Sequence, residues 1–215
     1  MTVNLAVVDY GMGDRRSVEK ALLHVGAIAT VTSDHDQILA ADGLIVPGVG
    51  AFPLAIERLR ESGLADLILR RLRGGVPVLG ICLGMQIGFD SSEEMGGADG
   101  LGIISGEVKE LEAPGLKLPH IGWSLVHWRQ SSELIEGLPY PCAFYHVHSF
   151  AAMPRDASNV LGVAEYGESF VTAVVRDSFY GVQFHPEKSS VHGLHLLANF
   201  ASICARAKLS SPTSA

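Results

Sequence analysis

Cysteine is scarce in this 215-residue chain: Cys82, Cys142 and Cys204 are far apart, odd in number and never in C-x-x-C spacing. That pattern gives neither a disulfide framework nor a zinc ribbon, and a reducing cytoplasm is its simplest home. Positive charge is also short, with 16 Lys and Arg against 23 Asp and Glu and a net charge of −7. A gripping site for nucleic acid or an anionic membrane needs basic patches, so neither partner is expected. No apolar run reaches the roughly 18 residues of a transmembrane helix, and Met1-Thr2-Val3-Asn4 lacks the basic flank of a signal peptide. No internal repeat is visible. Small molecules and protein partners remain, and a 47% hydrophobic composition can bury one large core. We expect a single domain over residues 1–207 and a disordered tail over 208–215.

The first half of the chain alternates strand and helix patterns. Leu5 to Val8 and Gly43 to Val46 are short continuous apolar runs, as expected of strands buried on both faces. A helix is predicted from near Ser17, with Val18, Ala21, Leu22 and Val25 at helical spacing and Gly26 as its stop. Further helical patterns cover Leu54 to Leu59 and Leu64 to Leu72, ahead of an apolar strand at Val78. This alternation predicts an α/β fold with a mostly parallel central sheet and helices on both faces. Ser92 to Gly100 is polar and glycine-rich, which suggests a surface loop. From Ile103 to Arg176 strands follow one another without long helices: Val108 to Leu111, Ser124 to Trp128, Cys142 to Phe150, Val160 to Ala164 and Val171 to Arg176. They predict a mixed or antiparallel extension. A last helix is expected from about Val191 to Arg206.

The chemistry concentrates in Gly80-Ile81-Cys82-Leu83-Gly84, a nucleophile-elbow pattern with cysteine at its centre. A sharp strand-to-helix turn leaves no room for side chains two positions either side of the nucleophile. It also aims the free amides of the following helix at the thiol, favouring a thiolate and then an oxyanion. A lone cysteine is more often a buried structural residue. Against that stands His185-Pro186-Glu187, read as an extended segment with imidazole and carboxylate on one face. Glu187 would fix the tautomer that lets His185 take the Cys82 proton. Glycines at 48 and 50 give the peptide around Val49 freedom to approach a ligand, although an ordinary strand-to-helix connection is the plainer reading. Gly11-Met12-Gly13 is not a dinucleotide fingerprint, because the third glycine and the acidic partner are missing. His146-x-His148 and His192-x-x-His195 lack a third ligand at familiar spacing, so no metal is expected. Trp123, Trp128 and Tyr145 are read as core or interface aromatics.

Five stretches taken together resemble the class I, or triad, glutamine amidotransferases, and most nearly the glutaminase subunits of imidazole glycerol phosphate synthase. They are Asp9-Tyr10-Gly11-Met12-Gly13, Pro47-Gly48-Val49-Gly50-Ala51-Phe52, the elbow through Met85-Gln86, Pro119-His120-Ile121-Gly122-Trp123, and Phe184-His185-Pro186-Glu187-Lys188-Ser189. The resemblance implies a three-layer fold and a Cys82–His185–Glu187 triad that hydrolyses L-glutamine to glutamate and ammonia, with no cofactor. It implies oxyanion donors at the Val49 and Leu83 amides. It also implies glutamine contacts at Gly48, Gly50, Gln86, Ser149 and Phe150. Trp123, Tyr145 and Lys188 would belong to the contact with a (β/α)8-barrel cyclase. That partner would use the ammonia to make imidazole glycerol phosphate and aminoimidazole carboxamide ribotide in histidine biosynthesis. Two positions depart from the family pattern: Gly13-Asp14-Arg15-Arg16-Ser17 replaces Gly-Asn-Leu-Arg-Ser, and Ser124 follows Gly-Trp where asparagine is usual. Three other readings compete: an α/β-hydrolase, which would normally place its acid between nucleophile and histidine; a catalytically idle partner-binding subunit; and a sister amidotransferase of another pathway.

Overall fold

The computed structural model describes residues 3–210. In chain order the first half runs β1 (Asn4–Val8), α1 (Arg15–His24), β2 (Ile28–Thr32), α2 (His35–Ala40), β3 (Gly43–Gly48), α3 (Phe52–Glu61), α4 (Leu64–Arg73), β4 (Val78–Cys82) and the single turn α5 (Leu83–Gln86). The second half is β5 (Phe89–Ser92), β6 (Ala98–Asp99), β7 (Ile104–Glu110), β8 (His120–Trp128), β9 (Cys142–His148), β10 (Phe150–Pro154), β11 (Val160–Tyr166), β12 (Glu168–Arg176), β13 (Phe179–Val182) and α6 (Ser190–Ser210).

Strands β2, β1, β3, β4 and β13 lie side by side and parallel. The apolar runs of β1, β3 and β4 are buried on both faces, so successive side chains enter different cores. Leu44 and Val46 join one core with Phe52, Ile56, Leu59 and Ile68 of α3 and α4. Ile45 joins the other with Leu22 of α1 and Leu197 and Phe200 of α6. Three layers result. Beyond β13 the sheet turns antiparallel through β12, β10 and β7, and β11 links β12 to the β8–β9 hairpin. This is the predicted extension.

Four local expectations need correction. Strand β2 and helix α2 were not foreseen: β2 exposes part of its surface, and α2 is six residues long with only Ile38 buried, too short for a helical period to emerge. The stretch 92–100 is not simply a surface loop, because Ser92 is buried and Ala98–Asp99 pairs with β5. The strand expected over 142–150 breaks at Ser149, where β9, paired with β8, gives way to β10, paired with β7 and β12. Helix α6 runs through Ser210, into the stretch expected to be a tail, with Lys208 Nζ 3.1 Å from Asp42 Oδ2 at its last turn. Residues 211–215 of that expected tail lie outside the described residues.

Candidate active site

Cys82 ends β4 with φ 54° and ψ −113°, a conformation L-residues adopt at a cost and one that marks functional turns. The flanking glycines are sterically required. A Cβ on Gly80 would overlap the Gly84 carbonyl oxygen, and one on Gly84 would overlap the carbonyl oxygen of Val46 on the neighbouring strand. The helix that follows is only four residues long. Its help to a thiolate therefore comes from nearby amides and not from a long macrodipole.

Parallel register pairs Gly48 with Cys82, and the residues that follow them, Val49 and Leu83, line the same cavity. Of the two glycines expected to loosen this loop, only Gly50 has a left-handed φ, at 110°. Gly48 is a close-packing glycine: a Cβ there would come within 2.6 Å of Tyr10 Oη and 2.8 Å of Leu83 Cβ. Tyr10 in turn donates to the Pro47 carbonyl at 2.7 Å, and burial pushes its phenol well above the usual range. The strand end is thereby pinned from below.

His185 and Glu187 do pair, though not as alternating residues of a strand. Pro186–Lys188 is a 3-10 turn following an extended His185, and the turn brings His185 Nδ1 to 2.9 Å from Glu187 Oε1. Both side chains are nearly inaccessible, at 3% and 1%. Glu187 Oε2 has no hydrogen-bond partner among the described residues. Burial opposes a charge on His185, but hydrogen bonding and electrostatic interaction with Cys82 and Glu187 outweigh it and raise the imidazole to about 10. The imidazole of His185 therefore carries its extra proton at neutral pH. The turn is fixed to β9: His185 N donates to the Tyr145 carbonyl at 2.9 Å, and Ser189 Oγ bridges the His185 carbonyl and the Tyr145 amide.

These groups share one cavity of about 270 Å³, lined by Val49, Gly50, Cys82, Leu83, Gln86 and Glu94 on one side and by Pro119, the 147–150 segment, His185 and Lys188 on the other. A buried cysteine and imidazole on one cavity, with a carboxylate bonded behind the imidazole, are the groups that acyl transfer uses. The model of the glutamine amidotransferase class-I family matches residues 6–204. The chain belongs to the class-I glutamine amidotransferases. Among them it is 47% identical over 199 residues to the imidazole glycerol phosphate synthase subunit HisH of Moorella thermoacetica, covering 93% of this chain and 94% of that one. The HisH subunit of Aquifex aeolicus is 47% identical over 195 residues, covering 90% and 94%. In fold, the chain is similar to the structure of PurLQS from Thermotoga maritima, with TM-score 0.72 and 17% identity, covering 96% of this chain and 99% of that one.

Within this amidotransferase the expected site residues separate by position. Cys82, His185, Val49, Leu83, Gly50, Gln86, Ser149, Phe150 and Lys188 line the cavity, and Glu187 stands behind His185. Gly48 does not line it. Trp123 and Tyr145 also lie outside, as register partners on β8 and β9 with rings 6.0 Å apart. Trp123 is exposed, as are Ile121 and Leu125 on the same face of β8. Lys188 Nζ lies 3.3 Å from Asp14 Oδ2. Burial would raise Asp14, but bonds from Ser17 and Lys188 outweigh it and hold the carboxyl below its usual range.

Sequence reasoning missed three features. Glu94 reaches the cavity wall while its Oε2 accepts from the Phe52 amide at 2.8 Å, capping α3. Gln183, fully buried, places its Nε2 3.5 Å from Cys82 Sγ. The third is a cluster of His120, His146 and His148. A carbonyl only accepts, so the contact with the Phe150 oxygen makes His148 Nδ1 the donor. Burial pushes His148 down to about 4 and also lowers His120. His148 Nε2 must then accept from His120 Nδ1 at 3.1 Å, and His120 Nε2 from Ser124 at 3.1 Å. Among the described residues, no set of three or more His, Cys, Asp or Glu is arranged to hold a metal.

Proposed function

We propose that this chain is the glutaminase subunit of an imidazole glycerol phosphate synthase, working in the cytoplasm as a heterodimer with a (β/α)8-barrel cyclase. The observation that carries the reading is the buried Cys82–His185–Glu187 arrangement opening on one cavity in a chain 47% identical to HisH subunits. Cys82 Sγ attacks the side-chain amide carbon of glutamine. The oxygen of the tetrahedral intermediate takes up negative charge and accepts from the amides of Leu83 and Val49. His185 hands its proton to the amide nitrogen, the C–N bond breaks, and ammonia leaves a thioester on Cys82. Water then gives a proton to His185 and attacks the thioester, releasing glutamate and returning the site to its starting charge.

The cavity wall suits a zwitterionic amino acid. Gln86 Nε2 has both hydrogens committed, to the Phe150 carbonyl at 3.0 Å and to Gln183 at 2.9 Å, so its contact with substrate falls to Oε1. Glu94 offers a carboxylate for the α-ammonium group, and Ser149 supplies a hydroxyl at the break between β9 and β10. Residues 1–207 form the amidotransferase unit in this reading. The row of exposed Ile121, Trp123 and Leu125 supports β8 as the partner face, since contiguous apolar surface marks association. Its hairpin partner β9 holds the backbone of His185 through Tyr145, which gives a docked cyclase a direct route to the triad.

Glutamine turnover measured for the free chain, for the complex, and for the complex with the cyclase's nucleotide ligand tests this reading. Turnover should rise in the last state, by up to about 10²–10³ if the Val49 amide is brought into line only there. Trp123→Ala should reduce that rise more than it reduces hydrolysis by the free chain. Equal rates in all three states would overturn the partner-coupled reading, and absence of glutaminase activity in all three would overturn the function.

A further inference from the structure

Gln183 follows β13, is fully buried, and is anchored by its backbone amide to the Thr172 carbonyl at 2.8 Å. A primary amide is costly to bury unless its donors and acceptor are satisfied. Here its orientation can be deduced. The Phe150 carbonyl oxygen can only accept, so the end of Gln86 facing it is the NH2 group, at 3.0 Å. That same NH2 lies 2.9 Å from Gln183, so the Gln183 end facing it must be the carbonyl oxygen. The NH2 of Gln183 therefore points to Cys82 Sγ, at 3.5 Å. Turned round, the amide would set two NH2 groups against each other and a carbonyl oxygen against the sulfur.

We propose that Gln183 is a positioning residue for the nucleophile, donating a hydrogen bond to the Cys82 sulfur from an amide whose direction is fixed through Gln86 by the Phe150 carbonyl. This rests on Cys82 being the nucleophile. A donor to sulfur gains strength as negative charge collects there. Cys82 Sγ also lies 3.7 Å from the Val147 carbonyl, which can only accept; of the groups that can donate to the sulfur, His185 gives its proton away when ammonia leaves, whereas Gln183 keeps its hydrogens through the whole cycle. It thus holds the sulfur in place when His185 is engaged with the leaving group. Cys82 is electrostatically coupled to His185, which Glu187 backs, and to Tyr10, so any titration of the site reports these groups together.

The test separates the sulfur contact from the Gln86 contact. Gln183→Glu keeps an oxygen to accept from Gln86 but takes the donor from the sulfur and adds negative charge. Gln183→Met removes both bonds at similar length, and serves if the buried charge of the first variant prevents folding. Alkylation of Cys82 by iodoacetamide, followed by mass spectrometry of its peptide across pH, requires no glutamine and no partner. In both variants the midpoint of the alkylation profile should move up by about one pH unit. In Gln183→Glu kcat should fall roughly tenfold with KM little changed; in Gln183→Met KM should rise as well, because Gln86 loses its acceptor. Alkylation profiles that superimpose on the parent's, or a rise in KM alone, would overturn the proposal. A parent chain that alkylates at Cys82 but never turns over glutamine would overturn the function instead, and the alkylation profiles would still decide the role of Gln183.

Discussion

Replacing Glu187 by glutamine tests how the triad holds its proton. The side chain keeps its shape, and its amide oxygen can still accept from His185 Nδ1, so the imidazole keeps its tautomer and loses only the negative charge behind it. The wild-type contact is 2.9 Å long between side chains almost sealed from solvent. A buried hydrogen bond to a charged group contributes about 1.5–3 kcal/mol. At about 1.4 kcal/mol per pH unit, losing that charge should lower His185 by roughly one to two units, from about 10 toward 8 or 9. His185 must be protonated to release ammonia, so the alkaline limb of glutamine turnover should move down by that amount. At neutral pH the same energy corresponds to a turnover roughly 10- to 100-fold lower. The raised imidazole also links stability to pH. Its contribution is fully present below the unfolded value near 6.5 and is lost as pH rises through about 10; in the variant that window should close earlier. Single-turnover thioester formation should remain measurable in Glu187→Gln and be slower in His185→Asn. An unmoved alkaline limb, or a glutamate variant worse than the histidine variant, would refute the assignment of charge and roles.

Cys82→Ser should lower glutamine hydrolysis at least about 10³-fold with an unchanged unfolding midpoint, because an alcohol is a poor nucleophile at neutral pH. Cys142→Ser and Cys204→Ser, at 1% and 0% exposure, should keep activity below their melting temperatures while losing some stability. Gly84→Ala should cost about 3 kcal/mol or more in urea unfolding, since its Cβ has only the rigid backbone of β3 to displace; a wild-type midpoint would contradict that packing. Asp14→Asn retains the helix cap but releases Lys188 from a half-exposed ion pair. It should cost under about 1 kcal/mol of stability and change activation by the cyclase more than glutaminase activity of the free chain.

The elbow was legible in the chain because its constraint is local: Gly80 and Gly84 must be glycine for a turn only a few residues long. The short apolar runs of β1, β3 and β4 and the helical patterns of α1, α3 and α4 were equally plain, since burial on two faces and helical periodicity are written in neighbouring residues. His185 and Glu187 were found as a pair for the wrong local reason, because two residues apart is close enough whether the backbone is extended or turned. The contacts that distinguish this site come from elsewhere. Gln183 meets Cys82 across 101 positions, Gln86 meets Phe150 across 64, and His120 meets His148 across 28. No periodicity or spacing within the chain encodes such meetings. They follow from β13 lying parallel beside β4, and from the chain leaving the β8–β9 hairpin at Ser149 to join the main sheet. Local sequence sets which groups are available and how each short segment bends; sheet order decides which of them come within hydrogen-bonding reach, because only long-range strand pairing sets those distances.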